Sequence, residues 1–289
     1  MPTEVILYGP ESIPLALSGN TGNVNNNIAA TLAVAGATGV PQGPYPLGKQ
    51  FVVNDGRKFR YCSVGATTLV VGDVIQASIN LSTDQNMSAI ASTVVNPYTG
   101  VATTNGINGA AIGLTHGAAT VIANFFAEGY IMVTVTPGGG DNYKIAAHVA
   151  LSSGANATTP DVVNLWPGHK IRRALTDTTS KVNLVSHPYS RVIQLPATLQ
   201  TGVIAGVAVT PLTGATGRGN FGWLQTRGAC GVLTAAGTVV VGQPAIVSTT
   251  AGAVDLVTTT NIITSTIVGQ FMRIGASAGW SLVFLTLDG

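Results

Sequence analysis

The stretch Val70-Val71-Gly72-Asp73-Val74-Ile75-Gln76-Ala77-Ser78 decides the fold that we predict for this chain. It is typical of a glycine turn that leads into a short apolar strand and ends at small polar residues. Two later segments, Tyr143 to Gly154 and Val240 to Gly252, contain the same kind of phrase. Internal repetition limits the possible folds, because each copy is expected to form the same unit. We interpret the three segments as copies of the same structural module. The alternative is chance agreement in a sequence rich in glycine, valine and threonine.

The composition of the chain predicts an all-β protein. Only 8% of the 289 residues are Asp, Glu, Lys or Arg, where roughly 25% is usual in globular proteins. Valine, isoleucine and threonine dominate, and their branched side chains favour strands. The 36 glycines and 14 prolines indicate many turns.

The same composition also limits the kinds of partner that we expect for this protein. A surface with so few charges and a mean hydropathy of +0.40 is poor at keeping free monomers apart, so we expect part of it to be buried in a homo-oligomer. The net charge of +2 does not indicate nucleic-acid binding. The longest apolar run, Ala110 to Ala127, is interrupted by polar residues and is not expected to cross a membrane.

Turn signals divide the chain into an N-terminal arm and two β domains. Asn54-Asp55-Gly56 predicts a hairpin, with Phe59 and Tyr61 on one face of its second strand. Short strands at regular spacing indicate β-barrel, β-tulip-like or sandwich modules, in two related copies. We predict an extended arm over residues 1–48, a first β domain with a connecting region over 49–194, and a second β domain over 195–289. Strands of the second domain are expected at 202–211, 222–233, 238–248, 262–274 and 280–287.

The predicted arm carries more aliphatic side chains than a purely solvated tail would. Its apolar anchors are Val5, Ile6, Leu7, Tyr8, Leu15 and Leu17. We expect them to contact a neighbouring subunit. The alternative is a disordered tail.

The sequence contains no recognisable catalytic, cofactor-binding or metal-binding motif. The four histidines are widely spaced, and His148 lies in a strand pattern that favours a hydrogen-bonded structural role. Cys62 and Cys230 are expected to be buried free thiols, with one long-range disulfide as the alternative. Two basic clusters, Arg57 to Arg60 and Lys170 to Arg173, are best read as solvated surface.

Taken together, these phrases resemble the capsid decoration (cement, or head-stabilising) proteins of tailed bacteriophages. The resemblance rests on Val71 to Ala77 and Val241 to Val247, on Gly129 to Val133 and its counterpart Gly228 to Val232, and on the charge-poor make-up with a loose arm. It implies a β-barrel or β-tulip core and a multimer, commonly a trimer, on the capsid surface of the virion, after synthesis in the host cytoplasm. Small decoration proteins carry one such module, whereas we expect two in this chain.

The resemblance also implies a function and partners. We expect a non-catalytic virion protein that binds the outside of a capsid lattice and stabilises it, with the major capsid protein and itself as partners. The expected partner-binding residues are the six arm anchors together with Arg172 and Arg173. Weaker candidates are Tyr45, Phe59 and Tyr61.

Three other functions fit the sequence less well. A head or tail fibre that binds a receptor or glycan would need exposed aromatic residues, but Trp223 and Trp280 lie in predicted strands that suggest core positions. An enzyme such as a β-sandwich hydrolase would need a paired catalytic motif. A major shell protein would need a long charged helix.

Overall fold

The computed structural model describes residues 43, 45–79, 84–89, 105–116, 120–152, 160–177, 179–198, 200–214, 220–235, 239–258 and 265–288. In these ranges the chain forms strands and no α-helix, which confirms the predicted all-β class. The six arm anchors lie outside the described residues. The strands are β1 (Gln50–Val52), β2 (Lys58–Ser63), β3 (Val74–Gln76), β4 (Met87–Ser88), β5 (Ala111–Leu114), β6 (Tyr130–Val133), β7 (Asn142–His148), β8 (Asp161–Leu165), β9 (Lys181–Val185), β10 (Ile193–Gln194), β11 (Ile204–Ala208), β12 (Phe221–Leu233), β13 (Pro244–Val247), β14 (Val254–Leu256), β15 (Ile267–Arg273) and β16 (Trp280–Thr286).

The compact units differ from the predicted domains. Among the described residues, the first unit takes 43–78 and 188–288, and the second takes 79–187. The predicted boundary between residues 194 and 195 therefore falls inside the first unit. The reason is strand pairing over long distances: β2 pairs with β12, and β3 pairs with β11. Local hydrophobic patterns do not specify such partners.

The first unit is a curled antiparallel sheet. Its main path runs β10-β3-β11-β12-β16-β15-β13-β14, and the hairpin β1–β2 joins through β12. The 13-residue strand β12 pairs with β2 through its first half and with β16 through its second. The two ends of the path meet at Gly252, whose N–H donates to the Leu195 carbonyl and whose carbonyl accepts from the Val74 N–H. A barrel-like module results, filled mainly by inward valines with Phe271 and Leu285.

The second unit is also a curled antiparallel sheet, in the order β4-β9-β6-β7-β8-β5. A bridge between Ala89 and Leu114 brings its two ends together, supported by a 3.0 Å hydrogen bond from the Thr115 N–H to the Ser88 carbonyl. The buried Phe126 and Tyr143 are the largest side chains of its core. Two barrel-like modules are thus present, as the sequence predicted.

One turn geometry begins the strand in all three repeat segments. In residues 70–73, 138–141 and 240–243, the fourth N–H donates to the first carbonyl at 3.2, 3.0 and 3.2 Å. The third residue is a glycine with φ of 87°, 89° and 82°, as a type II turn requires. The residue that follows each four-residue turn is the first residue of β3, β7 or β13. The three segments therefore share this turn, which in the second one lies ahead of Tyr143. The same turn also precedes β1 at residues 46–49 and β14 at residues 250–253, so it is not specific to the repeated phrase.

Candidate interaction surface

The outward face of β16 is a ridge of large apolar side chains. Trp280, Leu282 and Phe284 are 58%, 39% and 41% exposed. The alternate residues Ser281, Val283 and Leu285 are buried. Successive side chains of a strand point to opposite faces, so the three exposed residues form one row, which we call the ridge.

The apolar surface continues on both sides of the ridge. Met272 and Ile274, in and just after β15, are each 45% exposed. The turn at Val70–Val71 adjoins Trp280, whose indole Nε1–H donates to the Val71 carbonyl at 3.1 Å. A second pair of exposed valines, Val240–Val241, adjoins β15, because the next residue, Gly242, donates its N–H to the Phe271 carbonyl. We call these nine side chains, the ridge included, the outer patch.

A trough runs beside the ridge along β12. Ala229 and Gly231 lie directly opposite Phe284 and Leu282 in the strand register, and neither has a side chain beyond Cβ. The resulting groove has a volume of about 440 Å³ and is bordered by Trp280 and, on its far side, by Arg57. A Cβ added at Gly231 would meet nothing within 4 Å, so the trough is open there.

Few charges surround the outer patch. The Arg57 guanidinium at the border of the trough pairs with the Asp55 carboxylate at 2.7 Å. Arg273, exposed and opposite Leu282, is the nearest charge on β15, and Arg227, opposite Thr286, is the nearest charge on β12. A partner surface that fits this patch therefore needs apolar area and not a complementary charge cluster.

The first unit also contains an aromatic cluster that includes Tyr45. Tyr45, Phe59 and Tyr61, predicted as weak partner contacts, belong to this cluster with Phe221 and Trp223. Phe59 and Tyr61 are 1% and 2% exposed, so they stabilise the fold and are not available to a partner. Tyr45 is 43% exposed. Of the three candidates, only Tyr45 remains accessible.

Arg172 and Arg173 lie in the second unit and have different environments. The Arg173 guanidinium pairs with the Asp141 carboxylate at 2.9 Å and donates to the carbonyls of Gly138 and Gly139. This contact holds the pKa of Asp141 below its usual range. Arg173 therefore fixes the glycine-rich turn ahead of β7. Arg172 is exposed and takes part in none of the ion pairs found among the described residues.

Two buried histidines of the second unit contact neighbouring groups of the fold. The His148 ring accepts the Phe126 N–H at Nε2 (2.9 Å) and donates from Nδ1 to the Val149 carbonyl (2.6 Å), which confirms its predicted structural role. His116 Nε2 lies 3.1 Å from the Asp84 carboxylate in a buried pair. Across the described ranges, no group of three or more His, Cys, Asp or Glu residues could hold a metal ion.

The two cysteines are free and buried, as expected. Burial raises the pKa of both thiols to about 12, which leaves them protonated and unreactive at neutral pH.

Sequence reasoning missed the outer patch. Trp223 is buried as predicted, but the core position suggested for Trp280 was wrong, since its side chain lies on the outside of the sheet. Both faces of β16 carry large apolar residues, so alternation alone could not tell which face is inward. The available signal was the unusual apolar character of both faces of one strand.

The comparisons with known proteins found no match: no family model, curated protein or solved structure resembles this chain at a significant level. None of the described segments forms a helix of the length and apolar character needed to span a membrane.

Proposed function

We propose that this chain is a virion structural protein that binds the outside of a phage capsid lattice and stabilises it through contacts, not through catalysis. Its partners would be the major capsid protein and further copies of itself, for which the resemblance to decoration proteins implies a trimer. Nucleic acid and membranes are not among the proposed partners.

The observation that carries this proposal is the outer patch on a charge-poor β module. Exposed apolar patches larger than a few hundred Å² are rare on soluble monomers and mark interaction sites. The ridge belongs to a strand that pairs on both sides, so its side chains are held in place before any partner binds. A preordered apolar surface suits a permanent structural contact, because little side-chain freedom is lost on binding.

The N-terminal segment supports the same function. Six apolar anchors, Val5 to Tyr8 with Leu15 and Leu17, precede the point where the chain enters the aromatic cluster. An extended segment can add a strand to the sheet of a neighbour, and main-chain hydrogen bonds then hold the two subunits together. The exposed Arg172 is a further candidate contact with an acidic capsid surface, whereas Arg173 would first have to leave Asp141.

Stabilisation of the shell would follow from mass action. A protein that binds only the assembled lattice lowers the free energy of that state and not of the free subunits. The gain grows with each lattice boundary that one molecule bridges, and an arm and a rigid module can contact different subunits.

Co-sedimentation with immature and expanded capsids tests the proposal. We expect saturable binding to expanded capsids and a higher temperature of capsid disruption. A variant with the six anchors replaced by serine should bind more weakly, while the control Ile107→Ser, which changes an exposed aliphatic residue of the second unit, should bind like the unchanged chain. Absence of binding to either capsid form would refute the proposal.

A head or tail fibre that binds glycans is the second candidate, and one observation favours it. Trp280 and Phe284 are both exposed on one face, and Gln270 lies opposite Phe284 in the register. Aromatic faces with a neighbouring amide are suited to sugar rings. Glycan-array binding that is lost in Trp280→Ala, without capsid binding, would favour the fibre.

A further inference from the structure

We propose that the outer patch is a two-fold contact surface for a second copy of this chain, in which the ridge of each copy lies in the trough of the other. This deepens the proposed homo-oligomer and rests on that part of the proposed function, with a pair in place of the trimer that the resemblance implies. It names the surface and the symmetry of the contact.

The size of the outer patch fits a stable dimer. Its nine side chains are 39–58% exposed, and with the lower aromatic value of about 150 Å² taken as the full area of each they present roughly 600 Å² of surface. A standard protein interface buries about 800 Å² on each partner, whereas the largest apolar patch of a monomer is about 300–600 Å². The patch therefore supplies most of the area that one side of an interface requires.

The shape of the patch fits a second copy. The ridge projects from β16, and the trough follows β12, its direct neighbour in the sheet. When two such faces meet about a two-fold axis, the ridge of each copy faces the trough of the other. One contact then contains two equivalent pairings of ridge and trough. Neither copy then leaves its large apolar groups or its groove exposed to water.

Because the ridge and the trough are neighbours on one face, they also determine the symmetry of the contact between copies. Adjacent strands lie only about 4.8 Å apart, so two different copies cannot occupy the ridge and the trough of one chain at the same time. A ring of three copies requires two separate contact surfaces on each chain. The outer patch therefore favours a pair, and a trimer would have to use another surface.

The small number of charges around the patch also favours a second copy of this chain as the partner. Arg273 is the charged residue nearest the ridge on β15, and Arg57 is already paired with Asp55. A partner with an ordinary charged surface would lose the hydration of its charges without gaining ion pairs. This chain, with 8% charged residues, offers the matching surface itself.

Two substitutions test the contact from opposite sides. Leu282→Lys places a charge in the middle of the ridge, and Gly231→Tyr fills the trough. Gly231 has a φ that other residues adopt and open space at Cβ, so the added side chain should not disturb the fold. The matched control is Ile107→Lys, which places the same charge on an exposed aliphatic position of the second unit.

Sedimentation velocity and light scattering of the full chain, measured over a range of concentrations, give the result. We expect a mass of twice the 29.3 kDa chain for the unchanged protein and for Ile107→Lys. Leu282→Lys and Gly231→Tyr should each weaken self-association at least tenfold, with an unchanged circular dichroism spectrum and a melting temperature that no longer rises with protein concentration. A monomer or trimer of the unchanged chain, or a dimer unaffected by both substitutions, would overturn the proposal.

The same variants separate this contact from capsid binding. If the chain dimerises through the patch but binds no capsid, the proposed function fails and the two-fold contact stands. If the chain binds capsids as a monomer, the two-fold contact fails and the proposed function stands. Glycan binding by a monomer that is lost in Leu282→Lys would assign the patch to a sugar and refute the two-fold contact.

Discussion

Replacement of Gly72 by alanine should destabilise the first unit much more than the same change at Gly242. Both glycines hold the third position of the repeated turn, with φ of 87° and 82°. An alanine in this conformation costs about 1–2 kcal/mol, and the loss of glycine freedom in the unfolded chain returns about 0.4–1 kcal/mol. The backbone contribution is therefore about 1 kcal/mol at either position.

The two sites differ in what a methyl group would meet. At Gly242 nothing lies within 4 Å of the added Cβ, whereas at Gly72 it would lie 2.4 Å from Trp280 Nε1 and 2.5 Å from Cδ1. The indole must move and lose its hydrogen bond to the Val71 carbonyl, which contributes about 0.5–1.5 kcal/mol. With the lost packing of the ring, we expect a total of about 2–4 kcal/mol for Gly72→Ala and about 1 kcal/mol for Gly242→Ala.

Urea unfolding followed by tryptophan fluorescence, at one protein concentration, measures both changes in the free energy of unfolding. The double variant Gly72→Ala with Trp280→Ala provides the control, because removal of the indole should reduce the cost at position 72 to the backbone contribution. Equal costs at positions 72 and 242, or a cost at 72 that persists without the indole, would refute the packing of Trp280 on this turn.

Three further predictions concern single residues of the first unit. The Arg60 guanidinium holds the pKa of Asp288 below its usual range, so this pair stabilises the fold above the unfolded pKa of about 4 and loses its effect as the pH falls through the folded value. Asp288→Asn should lower the free energy of unfolding by about 1 kcal/mol at pH 7, and a difference from the unchanged chain that does not shrink in acid would contradict the pair. Ala278, exposed with a φ of 55°, should gain about 0.5–1 kcal/mol when replaced by glycine, and a lower melting temperature would exclude the strained turn. Cys62 and Cys230, whose pKa values burial raises to about 12, should react with Ellman's reagent at neutral pH only after unfolding, and rapid labelling of the native protein would disprove their burial.

Local features of the structure could be read from the sequence because they depend on neighbouring residues. The hairpin between β1 and β2 has its turn at Asn54-Asp55-Gly56, and Gly56 has the positive φ, 86°, that this turn requires. Phe59 and Tyr61 share a buried face, as their spacing predicted. Glycine at the third position of a turn and branched residues after it were sufficient to predict β3, whereas the strand predicted at 238–248 begins only at Pro244, after the turn at 240–243.

Features that depend on distant residues could not be read in this way. The division into units follows from pairings such as Tyr61 with Trp223, which are far apart in the chain. Hydrophobic alternation marks a strand but does not name its partner, so a boundary placed by sequence order near residue 195 cut through one sheet. The predicted candidate Arg173 was likewise explained only when Asp141 was found beside it.

The sequence by itself determined the all-β class, many of the turns, the hairpin of β1 and β2, the approximate positions of β11, β12, β15 and β16, and the charge-poor composition, because each follows from the preferences of short segments; it did not reveal β8 and β9, which lie in the predicted connecting region. The tertiary structure alone decided which face of β16 points to water. Val283 and Leu285 are as apolar as Leu282 and Phe284, so burial of either row would satisfy the hydrophobic effect locally. The curl of the sheet settles the choice, since only one face of β16 can line the core, and the remaining row forms the ridge.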